Sequence, residues 1–153
     1  MNLKKLLISL GLPLAVGGLS ALLSGGMGDY DTLVKPPLSP PGWLFPVVWT
    51  ILFLLMGYAA YRIWTADAPQ ADKRRALVFY GVQLALNFLW SPVFFGLGWL
   101  TVAFVILLAL WLFILITTSH FSKIDAVAGN LLLPYLLWVT FAGYLNFAFI
   151  LLN

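Results

Sequence analysis

Five stretches of this chain, about residues 3–24, 43–64, 75–95, 98–119 and 126–152, are each apolar over roughly the 20 residues that a bilayer-spanning helix needs. In hydrocarbon every backbone polar group must be satisfied inside the protein, which leaves helix as the open choice for such segments. The remaining composition could not build a water-facing surface. Hydrophobic residues make up 63% of the chain and charged residues 8%, against about 25% charged in an ordinary soluble domain. The sequence therefore predicts an all-α integral membrane protein, a five-transmembrane-helix bundle, with residues 1–153 as a single domain. Lys4 and Lys5 ahead of the first run look like the start of a signal peptide. The run continues to about Leu23, longer than the ~7–15 residues of a signal core, so it reads as a spanning helix, with an uncleaved signal as the alternative.

The joints between the runs differ in character. Residues 25–42 form a long Gly- and Pro-rich loop in which Pro36, Pro37, Pro40 and Pro41 stiffen the backbone, as expected of a lid over one mouth of the bundle. Gly96-Leu97-Gly98 is so short that the third and fourth helices must be antiparallel neighbours. Lys4, Lys5, Arg62, Lys73, Arg74, Arg75 and Lys123 fall on one side of the alternating topology and Lys35 alone on the other. The positive-inside rule then predicts a cytoplasmic N-terminus and an external C-terminus. The net charge of +3 is too small and too confined to helix ends to suggest nucleic acid.

Inside these apolar runs a few residues need partners. Gln83, Asn87, Trp90 and Ser91 share one face of the third helix. A polar amide in hydrocarbon is costly unless it is paired, so this face should look inward. Pro92 removes the donor for the carbonyl of Phe88, which Ser91 or a neighbouring helix must then satisfy. On the fifth helix Asn130, Pro134, Trp138, Ala142 and Asn146 recur every four residues, and Trp49 lies about two turns inside the second. The first helix is rich in small residues, with Gly17, Ala21 and Gly25 every four, suited to close packing within the chain or to a homodimer seam. Gly81 and Ala85 form a second such face, and the fourth helix, almost uniformly aliphatic, reads as lipid-facing scaffold.

These residues suit recognition more than acid–base or nucleophilic chemistry. No Asp, Glu, Lys or Arg lies in the middle third of any run, where an ion-coupled carrier normally places one. The sequence has no Gly-x-Ser-x-Gly, no HExxH and no P-loop, and its single histidine, His120, has no metal-ligand companions. With no cysteine there is no thiolate or disulfide chemistry. Aromatic faces with a few orienting amides are suited to flat apolar ligands.

Four stretches, in order, resemble the TspO/MBR family of tryptophan-rich sensory proteins and translocator proteins: Leu33-Val34-Lys35-Pro36 with Pro40-Pro41; Pro46-Val47-Val48-Trp49-Thr50; Gln83 to Gly96; and Pro134-Tyr135-Leu136-Leu137-Trp138 with Ala142 and Leu145-Asn146. The resemblance spans essentially the whole chain. It implies a five-helix bundle, often a homodimer, that binds protoporphyrin IX, haem-related tetrapyrroles or synthetic aromatic compounds in an intrabundle pocket beneath the first loop. Matched position by position, it implies ligand contacts from Trp49, Asn87, Trp138, Ala142 and Leu145, with Phe45, Phe53 and Trp90 nearby and Tyr30, Pro40 and Pro41 in the lid. The chain departs from the family at Asp29 and Leu38, where the family has aromatic residues, and at Phe53, where it has a tyrosine. No basic residue follows Tyr144, so the late sterol motif of some members is absent.

The resulting expectation is a membrane receptor or sensor for planar tetrapyrroles, with no cofactor and no metal beyond that ligand. Two alternatives stand beside it. One is light-dependent porphyrin breakdown, with Trp49 and Trp138 as electron donors; the other is porphyrin or sterol transport. The short N-terminus has no Arg- and Ser-rich transit character, which favours a prokaryotic cell membrane.

Overall fold

The computed structural model of the chain describes residues 2–25 and 33–153. The described residues form six helices: α1 (Leu3–Leu23), α2 (Leu44–Trp64), α3 (Gln70–Ser91), α4 (Leu100–Ile124), α5 (Ala126–Leu131) and α6 (Leu133–Leu152). A π-helical turn at Pro92–Gly96 extends α3, and α5 and α6 are separated by Leu132 alone. Five helical spans, Leu3–Leu23, Leu44–Trp64, Gln70–Gly96, Leu100–Ile124 and Ala126–Leu152, are long and apolar enough to cross a membrane. This is the expected five-span, all-α membrane bundle.

Three contacts define one end of the bundle. The N–H of Asn2 donates to the hydroxyl of Tyr61 (3.2 Å), the Lys5 ammonium lies 5.1 Å from the ring centre of Trp64, and Arg62 Nε donates to Asp125 Oδ2 (2.7 Å). Burial raises the pKa of Asp125, but hydrogen bonds from Arg62 and from the N–H of Val127 outweigh it and hold the carboxyl below its usual range. At the opposite end Asn153 pairs with both backbone groups of Val34, each at 3.1 Å, and Tyr144 donates to the carbonyl of Pro37 (2.7 Å). The Pro-rich loop is therefore pinned to the end of α6. Its turn places Leu38 at φ 68°, with the N–H of Ser39 donating to the carbonyl of Pro36 at 3.3 Å. A left-handed backbone costs an ordinary L-residue roughly 1–2 kcal/mol, less for Asn. Leu38 is 80% exposed, so Leu38→Asn is expected to raise unfolding stability by about 1 kcal/mol. A thermal melt checks this, and an unchanged midpoint would remove the strain argument.

At Gly17 the small-residue face of α1 packs within the chain, whereas Ala21 and Gly25 are exposed. A Cβ on Gly17 would overlap the ring of Phe53, and one on Gly57 would sit 2.6 Å from the carbonyl oxygen of Ser9. That carbonyl is the one Pro13 leaves without an intrahelical donor. Gly81 and Ala85 remain exposed on α3.

Three readings of the sequence need correction. Helix α3 begins at Gln70 rather than near 75, because Pro69 starts it and the polar run Gln70 to Arg75 is already helical. Helix α4 runs from Leu100 to Ile124 and is more than lipid-facing scaffold. Ala103, Leu107, Leu110, Ile114, Thr117 and Phe121 are buried on one face, while Val105, Leu108, Leu112 and Leu115 are exposed on the other. On the last span the inward face is Tyr135, Val139, Ala142, Asn146 and Phe149, and Asn130 and Pro134 lie exposed. A spacing of three and four, not of four alone, holds a helix face in line.

Candidate functional site

The π turn shapes the polar face of α3. Pro92 cannot donate to the carbonyl of Phe88, and Ser20 Oγ from α1 donates to that carbonyl instead (2.8 Å). Ser24 Oγ donates to the carbonyl of Ser20 (2.7 Å) and lies 2.8 Å from Ser91 Oγ. Beyond Pro92 the ladder widens to Leu97 N–H donating to the carbonyl of Pro92 (2.9 Å). A short seam of hydroxyls thus joins α1 to α3 where the proline opens the helix.

One turn earlier lies a buried relay. Asn87 Nδ2 donates to the hydroxyl of Tyr135, which donates to Gln83 Oε1, each at 2.7 Å. Gln83 is therefore an interhelical hydrogen-bonding residue. Trp90 Nε1 donates to Asn146 Oδ1 (3.1 Å), and Asn146 Nδ2 donates to the carbonyl of Leu100 (2.9 Å), tying α3 to α6 and to the start of α4. The amides that the sequence placed inward are held by the Tyr135 hydroxyl, the Trp90 indole and the Leu100 carbonyl, and Gln83 Nε2 is buried without a partner. Tyr135→Phe keeps the ring and strands Asn87 Nδ2 and Gln83 Oε1. Hydrogen bonds within membrane bundles average about 0.6 kcal/mol with a maximum near 1.7. A loss of about 1–2 kcal/mol is therefore expected for this doubly bonded hydroxyl. Unfolding in a denaturing detergent reads it, and wild-type stability would mean the relay contributes nothing.

Trp49 is the hub of the aromatic interior. Its ring centre lies 5.6 Å from Phe53, 6.1 Å from Tyr135, and 6.5 Å from both Trp90 and Trp138, the last at an interplanar angle of 89°. Phe45 meets Trp138 at 6.0 Å and Phe95 at 5.8 Å. Two adjoining hollows open beside this hub. The inner one, about 70 Å³, is lined by Gly17, Ser20, Ala21, Trp49, Phe53, Asn87, Trp90 and Ser91. The outer one, about 350 Å³, lies toward the Pro-rich loop and includes Ala21, Ser24, Gly42, Trp43, Phe45, Pro46, Trp49, Ser91 and Phe95. Ala21, Trp49 and Ser91 line both.

Against the residues singled out in the sequence, the arrangement is as follows. Trp49, Phe53, Asn87 and Trp90 meet at the inner hollow, and Trp49 and Phe45 at the outer one. Trp138 stands behind Trp49 and Phe45 and lines neither hollow. Ala142 and Leu145 are buried in the bundle and line neither as well. Pro40 is buried and Pro41 exposed in the loop; Tyr30 lies outside the described residues. The wall from α1 was not singled out. Its signal was the run of small residues at Gly17, Ser20, Ala21 and Ser24, which leaves space as well as allowing close approach.

Five helices long and apolar enough to span a membrane, packed around an aromatic hub with a hollow beside it, define a multi-pass membrane protein. The comparisons with known proteins make this specific. The TspO/MBR family model matches residues 9–152. A tryptophan-rich protein TspO of Chlorobaculum tepidum is 41% identical over 150 residues, 97% of this chain and 95% of that one. A tryptophan-rich sensory protein of Cereibacter sphaeroides is 44% identical over 81% of this chain and 76% of its own. The translocator protein of Bos taurus is 38% identical over 89% of this chain and 82% of its own. This chain belongs to the TspO/MBR family.

Proposed function

We propose that this protein is a membrane receptor or sensor that binds planar tetrapyrroles, such as protoporphyrin IX or haem-related macrocycles, in the outer hollow against Trp49. One observation carries the reading: an aromatic-walled hollow of about 350 Å³ with the hydroxyl-bearing side chains of Ser24 and Ser91 among its lining. Ligand pockets generally hold about 300–1,000 Å³, with mostly apolar walls and a few orienting polar groups. A flat macrocycle gains from such walls by stacking, about 0.5–1.5 kcal/mol per ring pair beyond area burial. Asn87 contributes from the inner hollow. Its Nδ2 is held by Tyr135, which leaves its carbonyl oxygen as the acceptor available to a ligand. The names of the relatives, a sensory protein in one case and a translocator in another, support a sensor- or translocator-type role at this coarser level.

The test is a titration of the purified protein with protoporphyrin IX, read by quenching of tryptophan fluorescence. Saturable quenching is expected. Asn87→Ala should weaken it about tenfold, the scale of one hydrogen bond to a ligand. Non-saturable quenching, or equal affinity in that variant, would sink the site assignment. The place of Trp49 in the lining of both hollows, with Trp138 6.5 Å behind it, favours a second reading, in which an excited porphyrin oxidises one of these rings. Illumination of the complex decides it: a product not formed by free tryptophan at the same rate supports photochemistry by the protein.

We also propose that the N-terminus is cytoplasmic and the membrane a prokaryotic cell membrane. The clustering of basic residues at the N-terminal end of the bundle supports this under the positive-inside rule. Because the chain lacks cysteine, Asn2→Cys and Asn153→Cys can be labelled with an impermeant reagent. Labelling of position 2 in intact cells would reverse the orientation.

A further inference from the structure

A second hollow, remote from the aromatic hub, lies at the N-terminal end of the bundle between the start of α3 and the end of α4. It holds about 280 Å³ and is lined by Asp72, Arg75, His120, Lys123 and Ile124. Arg75 and Lys123 come from different helices, yet the one ion pair among the described residues is Arg62 with Asp125. Asp72, one turn before Arg75 on α3, pairs with neither cation. By contrast Lys73, next along α3, is tied down by donating to the carbonyl of Ala66 at 3.0 Å. Arg75 and Lys123 outnumber the Asp72 carboxylate in this concavity, so it carries a net positive charge that favours an anion between the two cations. Aromatic rings adjoin this hollow at His120. Phe79 stacks on His120 with ring centres 4.9 Å apart and meets Phe113 at 6.2 Å. Exposed apolar side chains also lie farther along both helices, Val78 and Val82 on α3 and Leu112 on α4. A basic hollow at the membrane boundary beneath an apolar track is matched by an anionic head on an acyl chain.

We propose that this hollow binds a phosphate group at the membrane surface, held by Arg75 and Lys123. An acidic phospholipid lying along α3 and α4 is the source that also uses the apolar track. A soluble phosphate compound shares the headgroup chemistry without the track. Basic pockets between membrane helices take anionic lipid headgroups for the same electrostatic reason.

The test uses the full chain in neutral detergent. Native mass spectrometry compares binding of phosphatidylglycerol and phosphatidylcholine, and calorimetry measures inorganic phosphate. The wild type is expected to prefer phosphatidylglycerol. Each cation removed should cost about fivefold in that preference, so Arg75→Gln with Lys123→Gln should erase it. Arg74→Gln, outside the hollow, should retain it, and so should the charge-keeping pair Arg75→Lys with Lys123→Arg. Helical circular dichroism establishes that each variant is folded. Saturable binding of inorganic phosphate, lost in the double variant and without lipid preference, would keep the site and assign it to a soluble anion. Two results overturn the proposal: neither ligand distinguishing wild type from the double variant, or Arg74→Gln lowering the preference as much as a change inside the hollow.

Discussion

Replacing Ala21 by Phe is expected to weaken protoporphyrin IX binding about 30- to 150-fold while leaving the bundle folded. Ala21 is exposed on α1 and lines both hollows beside the hub. A phenyl group there projects into space a ligand would need and displaces no core side chain. The ring would occupy a good part of a 350 Å³ hollow, forfeiting ligand contacts with Trp49 and Ser91. Losing two or three stacking or burial contacts of about 1 kcal/mol each gives a change of this order. Leu22→Phe, one residue along at a 79% exposed position, adds the same ring to the membrane-facing side and should leave binding as it was. Fluorescence quenching with both variants separates the two. Wild-type affinity in Ala21→Phe would place the ligand somewhere other than these hollows. Truncating Trp49 instead would remove contacts with Phe53, Trp90, Tyr135 and Trp138 together, confounding loss of site with loss of core.

The five spans were legible because length and apolarity suffice to define them, and because a bilayer allows few alternatives to helix. The need for an outside donor to the carbonyl of Phe88 was legible too, since Pro92 makes it a stereochemical certainty. That the donor is Ser20 was not, because nothing local links residues 68 apart. The buried face of α4 was hidden for another reason. When a helix is aliphatic all round, the inward and lipid-facing sides carry the same residues and no moment marks the core. The end of α4 was obscured by Thr117 and Thr118, whose hydroxyls bond back to the carbonyls of Phe113 and Ile114 and allow the helix to continue. In the candidate site, the polar stripe of α3 was visible as a stripe but its use was not. Gln83, Asn87 and Trp90 could each have faced a ligand. Their partners Tyr135 and Asn146 show that these three hold α3 against the last span, and of the stripe Asn87, Trp90 and Ser91 also border a hollow while Gln83 does not.

The position of α1 governs both stability and site, and Gly57→Val should expose that coupling. A side chain at Gly57 would meet α1 on arrival, its backbone at Ser9 O (2.6 Å) and Leu10 Cα (3.0 Å) and the proline ring at Pro13 Cγ (3.2 Å). Backbone atoms of a helix cannot turn aside as a flexible side chain can, so α1 must move away as a body. That movement strains the bond from Ser20 to the carbonyl of Phe88, which Pro92 has left without its usual intrahelical donor. It also separates Gly17 from Phe53. Overpacking typically costs about 1–3 kcal/mol, and an orphaned buried carbonyl adds about 1–3 more. A loss of about 3 kcal/mol or more is therefore expected, read by unfolding in denaturing detergent. Gly81→Val supplies the comparison, because nothing lies within 4 Å of a Cβ at that position; it should change stability by less than about 1 kcal/mol. Ser20 and Ala21 travel with α1, so any folded fraction of Gly57→Val should bind tetrapyrrole more weakly than wild type, although Gly57 lines neither hollow. Equal stability of the two valine variants would mean that α1 is held less closely than the geometry indicates. A destabilised Gly57→Val whose folded fraction kept full affinity would instead detach α1 from the ligand site.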